Sequence, residues 1–173
     1  MKAALIAFAL ICAATPAFAQ KEAQGEGPQD HVIQYSNSDE RMNAAVAEAR
    51  ATLPLFLDAF RRASARERDA FVIKVGLPTP DGGHEHVWVA NLRMEDDDLV
   101  GDLSNVPDHL PALHIGSRVV INQDEVSDWM LETRQGRYGG YTVRVMLDDL
   151  PPDEAAQISA TLTPTVLPPD WTQ

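Results

Sequence analysis

The chain has 173 residues, 45% of them hydrophobic and 23% charged, which suits one globular domain and excludes a wholly disordered polypeptide. Its 26 Asp and Glu against 14 Lys and Arg give a formal net charge of −12, and no basic run interrupts that excess, which argues against nucleic acid as a partner. The single cysteine, Cys12, leaves no pair for a disulfide and no thiolate metal cluster.

The first twenty residues, MKAALIAFALICAATPAFAQ, carry Lys2, an apolar run from Ala3 to Ala14 and the small-x-small triplet Ala17-Phe18-Ala19. That pattern predicts a secretory signal over residues 1–19, with the mature chain starting at Gln20 in the periplasm or outside the cell. The apolar run is shorter than the ~20 residues of a membrane span, so no membrane association is expected after cleavage. Ile11 before Cys12 argues against lipid attachment. Residues 20–37, with Gly25, Gly27 and Pro28, read as a flexible polar leader holding a short extended piece at His31–Tyr35.

A helix follows. Asn37 or Ser38 is placed to cap it, with Asp39 and Glu40 at the positive end of its dipole. Met42, Val46, Ala49, Leu53, Phe56 and Phe60 recur at steps of three and four and form one apolar stripe. Pro54 predicts a kinked helix or two short ones, with Thr52 capping the restart and the second ending near Arg62.

From Ala70 the period becomes two. AFVIKVGL reads as a strand with Phe71, Ile73 and Val75 on one face; PTPDGG as a turn; HEHVWVANLRM and DLVGDLS as the second and third strands. Pro107 and Pro111 keep NVPDHLPALHIG a loop. SRVVINQ reads as a fourth strand and VSDWMLE as a fifth after a turn at Gln123–Glu125. RQGRYGG reads as a glycine turn, and YTVRVML as a sixth strand from the alternation of Tyr141, Val143, Val145 and Leu147. Connections this short demand antiparallel neighbours. The fold class is therefore α+β: an N-terminal helix or helix pair packed on a curved antiparallel sheet of about five to six strands, open or barrel-like. The domain spans residues 38–160. PPDEAAQISATL predicts a closing helix begun by Pro151 or Pro152, and residues 161–173 form a Pro-rich tail.

The chemistry concentrates in GGHEHVWVANL. On a strand His84, His86 and Trp88 share one face, while Glu85 shares the other with Val87 and Val89. His84 and His86 would ligate a metal only with a third ligand, such as Asp81 or Asp128. Glu85 on the core side needs a partner, and Lys74 and Arg144 are the cations within strand reach. Asp128 and Trp129 lie on opposite faces: Asp128 caps a turn or accepts a backbone N–H, and Trp129 joins the core or lines a groove with Trp88. GRYGGYT lacks the lysine and following helix of a phosphate loop, and no serine sits in a nucleophile elbow. The acidic run Glu95–Asp98 reads as a solvated loop.

Several motifs occur in order: Glu85, His86, Trp88 and Val89; then Gly101, Leu103, Asn105 and Pro107; Gly116; Asp128 and Trp129; and Gly140, Tyr141, Thr142 and Arg144. Over about residues 38–147 the chain resembles the bacterial domain of unknown function 2314, the YegJ-like family. That resemblance implies an exported bacterial protein and brings no established activity, cofactor or catalytic residue. His84 falls outside the shared pattern. The candidate cluster is Glu85, His86, Trp88, Asn105, Asp128, Trp129 and Arg144. The first reading is a non-catalytic module that binds a protein or envelope component near Trp88, Trp129 and the 105–114 loop, with no cofactor. Its rivals are a hydrolase using Glu85, His86 and Asp128 as acid and base, and a metal protein using His84 and His86.

Overall fold

The computed structural model describes residues 39–171. The expected signal, the leader with its His31–Tyr35 segment, and the caps Asn37 and Ser38 lie outside the described residues.

Helix α1 runs unbroken over Glu40–Arg62. Its cap is Asp39, in extended conformation, whose side chain accepts from Arg41 N (2.9 Å) and Met42 N (3.0 Å). Asp39 therefore takes the role expected of Asn37 or Ser38. Nor does Pro54 split the helix. Lacking an N–H, it leaves the Arg50 carbonyl without its helical donor, yet the packed stripe of Ala45, Ala49, Leu53, Phe56, Leu57 and Phe60 holds both halves on one surface. Thr52, expected to start a second helix, is a fastening point instead. Its hydroxyl lies 3.0 Å from the Glu48 carbonyl, accepts from Trp129 Nε1 (3.1 Å) and meets Tyr141 Oη at 2.8 Å. With the Thr52 proton given to Glu48, Tyr141 is the donor.

A short 3-10 turn at Glu67–Ala70 leads into β1 (Phe71–Pro78), followed by β2 (His84–Glu95), β3 (Asp98–Leu103), β4 (Arg118–Val120), β5 (Val126–Thr133) and β6 (Gly136–Gly139). The sheet is wholly antiparallel with order β4-β3-β2-β1-β5-β6. It stays open. One edge, β4, is only three residues long. The other, β6, is occupied by the chain that follows: Arg137 N donates to Thr161 O, Thr163 N to Arg137 O and Gly139 N to Val166 O. A barrel would need those two edges to meet.

Ile73 pairs with Val89 on one side and Trp129 on the other, and Val89 with Leu103, so one face collects the core beneath α1. Trp129 is fully buried. Its ring packs against Phe56 at 5.1 Å, Tyr141 at 5.7 Å and Trp171 at 5.5 Å, the last brought back by the proline-rich segment after the closing helix. At Gly101, opposite a bulge at Asn91 and Leu92, an added Cβ would stand 2.5 Å from Val89 Cγ1 and 2.6 Å from Ala90 O.

The expected sixth strand is wrong. Tyr141–Met146 is a helix, α2, and the glycine-rich segment expected as a turn supplies β6. Gly139 (φ 76°) and Gly140 (φ 66°) both turn left-handed, which stops the strand and redirects the chain. The carboxylate of Asp128 then takes the free N–H groups of Tyr141 and Thr142 at the new helix's start. That buried cap outweighs the β preference of the Thr-Val-Arg-Val run. Strand β4 is also shorter than SRVVINQ suggested, because Gln123–Glu125 turns into a 3-10 segment before β5. The closing helix α3 spans Pro152–Ser159, with Pro152 at its first position. Among the described residues no helix is long and apolar enough to cross a membrane.

Candidate functional site

The strand carrying Glu85, His86 and Trp88 lies inside the sheet, but only its C-terminal part has β3 beside it: β3 ends at Leu103, opposite Val89. Beyond that point the 104–117 loop takes over. Trp88 O accepts from Ser104 N (2.9 Å) and Ser104 Oγ (3.0 Å), and Trp88 N donates to Asn105 Oδ1 at 2.7 Å. Further along, Glu85 Oε1 accepts from Asp108 N at 2.6 Å and Oε2 from His109 N at 2.8 Å. The loop's far end returns to its start: Leu103 N donates to Ser117 O (2.9 Å) and Gly116 N to Leu103 O (2.8 Å). Ends that meet make this an Ω-loop, with Leu110 buried inside and Val106 and Ile115 turned outward, 67% and 58% exposed.

Glu85, expected to pair with Lys74 or Arg144, pairs with neither. Its face is the one expected, and the carboxylate is only 14% exposed, but at that height the strand has run past the apolar core and meets backbone N–H groups. Two charge-assisted hydrogen bonds settle it there.

On the other face of β2, the ammonium of Lys74 stands 5.6 Å from the half-buried Trp88 ring. His86, partly buried, sets Nδ1 2.8 Å from Ser127 Oγ. The surroundings hold the His86 ring below its ordinary pKa of 6.5: desolvation first, then the cations Lys74, His84 and Arg50, with Glu125 opposing. His84 Nε2 lies 3.8 Å from Glu125 Oε2. The His86–Ser127 pair is not a nucleophile and base, because Ser127 is 2% exposed and its hydroxyl points at the Lys74 carbonyl.

Asp128, Trp129 and Arg144 form a separate, interior group. Asp128 Oδ1 accepts from Trp129 N (2.8 Å) and Tyr141 N (3.0 Å); Oδ2 accepts from Thr142 N (2.8 Å) and Thr142 Oγ1 (2.6 Å). Burial pushes its carboxyl above the usual range, and the Thr142 and Trp129 donors pull it back. Arg144 Nε donates to Gly139 O (3.0 Å) and its Nη2 to Thr163 O (2.9 Å), tying α2 to the end of β6 and the C-terminal segment.

The seven sequence-derived residues therefore divide. Glu85, Trp88 and Asn105 meet at the Ω-loop, with His86 on the adjoining face; Asp128, Trp129 and Arg144 meet at the start of α2. Glu85 and Asp128 spend their oxygens on separate backbone segments, so they do not act together on one substrate position. Asp81, the other suggested third ligand for His84 and His86, is engaged by Thr79 and Gly83 N, and no group of three His, Cys, Asp or Glu fit for a metal occurs among the described residues. A surface groove of about 980 Å³ at the end of α1 is lined by Leu55, Ala59, Phe71, Leu131 and Trp171 with a charged rim, and a second lies beside Arg50, Pro54 and Arg61; neither includes a residue of the cluster. Sequence reasoning missed Lys74 and Ser127 as neighbours of His86. The register of β1 with β2 and β5 is what assembles them, and only the strand alternation at Lys74 hinted at it.

These features define a class: a long helix on one face of an open six-stranded sheet, with an Ω-loop completing the edge of the second strand. Residues 39–162 match the family described as "Uncharacterized protein conserved in bacteria (DUF2314)", and the chain belongs to that family. It is 26% identical over 162 residues to "Uncharacterized protein YegJ" of Escherichia coli (strain K12), covering 94% of this chain and 99% of that one. It is also 30% identical over 139 residues to a "Putative ankyrin repeat protein" of Neisseria meningitidis serogroup B. That match covers 76% of this chain and 54% of the relative, so the chain spans about half the relative's length. No solved structure matches.

Proposed function

We propose that this protein is an exported, non-catalytic binding module whose recognition surface is the Ω-loop together with Trp88. The observation that carries the reading is the way the loop is held. Two carboxylate contacts and three contacts to Trp88 fix its backbone, while Val106 and Ile115 stay in solvent. A rigid loop that shows apolar side chains and is bonded to the backbone of a half-buried tryptophan is a preorganised contact surface, since little ordering entropy remains to be lost on binding. The acids that a hydrolase would need are engaged in holding the shape. Occurrence of a similar segment within a longer "Putative ankyrin repeat protein" agrees with a recognition role, because stacked repeats present extended binding surfaces.

The export reading rests on residues 1–19 and the binding reading on the loop, so each has its own experiment. Cell fractionation with N-terminal sequencing of the native protein should find it outside the cytoplasm, beginning at Gln20; a cytoplasmic protein beginning at Met1 would remove export. Crosslinking of the wild-type chain and Trp88→Ala in cells should give a partner adduct with the first and not the second, at equal melting temperature. Equal adducts from both would refute the surface.

A further inference from the structure

The outer edge of β6 is covered by an arm, residues 150–171, whose attachment is concentrated at its far end. The base of the arm is fixed, because Arg41 on α1 donates to Asp149 Oδ2 at 3.0 Å. From there Leu150 (ψ 156°) and Pro151 (ψ 141°) run extended between the 3-10 turn at Leu147–Asp149 and α3. The proline pair keeps that link open, since each residue before a proline is held out of the helical region. Helix α3 itself buries no residue and packs chiefly on the same 3-10 turn. The fastening comes after it. Arg137 N donates to Thr161 O (2.9 Å), Thr163 N to Arg137 O (3.1 Å) and Gly139 N to Val166 O (2.7 Å); among the described residues no other main chain bonds that side of β6. Thr163 is buried, with its carbonyl taken by Arg144 Nη2 at 2.9 Å, and Trp171 reaches the ring of Trp129. The edge is shaped for this segment: a Cβ at Gly136 would stand 3.0 Å from Thr161 O.

We infer that the β6 edge is an interface for a second copy of this chain, formed by exchange of arms: each arm swings at residues 150–152 and lies on β6 of the other copy. The occupant is fixed by what already sits there in cis. Every contact that holds the segment from Thr161 to Trp171 recurs in trans, so the exchange alters the hinge and leaves the fastening unchanged. Because α3 buries no residue, opening the hinge exposes little apolar surface of its own. What closes the arm on its own edge is effective concentration, on the order of 1 mM for a short tether. The chain is therefore monomeric when dilute and exchanges arms when concentrated. This inference is independent of the proposed binding role. The Ω-loop joins β3 to β4, at the other end of the strand order from β6, so the exchanged pair keeps both copies of that loop.

Sedimentation of the full chain tests this at ~10 μM and ~1 mM, after warming to just below the melting temperature so that arms are released. About half of the chains should be dimeric at the higher concentration and about a fiftieth at the lower. The route is read from Arg137→Cys/Leu162→Cys in a Cys12→Ser chain, a pair that meets across the bridge between β6 and the arm. Oxidised at the higher concentration, it should give a covalent dimer on a denaturing gel; at the lower, a monomer with the bond closed inside the chain. Deletion of Pro151 and Pro152 checks the hinge without new cysteines, should that pair disturb folding. With the link shortened, the arm reaches its own edge less readily, and the dimer share at the lower concentration should rise at least about ten-fold. Monomer alone at both concentrations would overturn the inference, as would a folded deletion chain whose dimer share does not rise. A dimer whose cysteines close only within each chain would overturn it too, because the copies would then meet through another surface.

Discussion

Asp128→Asn probes the interior group with the least change of shape. The wild-type carboxylate takes four donors, two on each oxygen, at 2.6–3.0 Å. Asparagine keeps one acceptor oxygen and turns the other position into a donor. If its NH2 faces Trp129 N and Tyr141 N, two backbone N–H groups are orphaned. If it faces Thr142, the hydroxyl can rotate to accept, and one N–H is orphaned. The second arrangement is cheaper and costs about 1–3 kcal/mol for the stranded group. The two bonds kept on the remaining oxygen lose their charge assistance, adding about 1 kcal/mol. Against this, the substitution relieves the desolvation that raises the Asp128 carboxyl, so the net loss is about 2–3 kcal/mol. For a domain of this size that lowers the melting temperature by roughly 6–12 °C. Calorimetry measures it, and near-ultraviolet dichroism should weaken because Tyr141 and Trp129 are held in contact through the same cap. A change below about 2 °C would refute the cap as the reason that residues 141–146 are helical.

Glu85→Gln leaves one of Asp108 N–H and His109 N–H facing a donor; stability should fall by about 1 kcal/mol, and amide exchange at those two positions should quicken while the sheet's does not. Gly139→Ala would place a Cβ 2.1 Å from Trp129 O and 2.7 Å from its ring at φ 76°, so a loss above ~3 kcal/mol, or no soluble protein, is expected in expression and thermal unfolding. His86 has a folded pKa below its ordinary 6.5, so its contribution is present above that value and is lost as pH falls through the folded one. His86→Gln should therefore flatten the fall in melting temperature between about pH 7 and pH 5; an unchanged slope would contradict the desolvation of the ring and the cations beside it.

Alternation makes β1 and β2 legible, because each has one face in the core and its side chains record that, whereas β3 and β5, buried on both faces over part of their length, are legible as short runs between turns. The α1 stripe was equally plain, with Phe56 and Phe60 both fully buried where the spacing put them. What failed depended on contacts far along the chain. Tyr141, Val143, Val145 and Leu147 alternate as a strand does, and nothing near them announces that Asp128, thirteen residues earlier, will cap a helix at Tyr141. Glu85 shares the inward face of Val87 as expected, but its partner is loop backbone, and backbone N–H groups have no signature in side-chain identity. Pro54 looked like a break because its missing N–H is a local cost; the packing that outweighs it involves Phe71 and Trp129, from strands later in the chain. The sequence leaves Trp129 either in the core or in a groove with Trp88, and only the register shows that Trp129 opposes Ile73 in the core while Trp88 opposes Lys74 outside it.

The claim on which the functional reading turns is that the Ω-loop is the recognition surface. A photo-crosslinking residue introduced in separate chains at Val106, at Ile115 and at Ala47, an exposed position on α1, tests it in living cells. Adducts of one common mass from positions 106 and 115, with none from 47, are expected. An adduct from 47 alone, or the same adduct from all three, would contradict the claim.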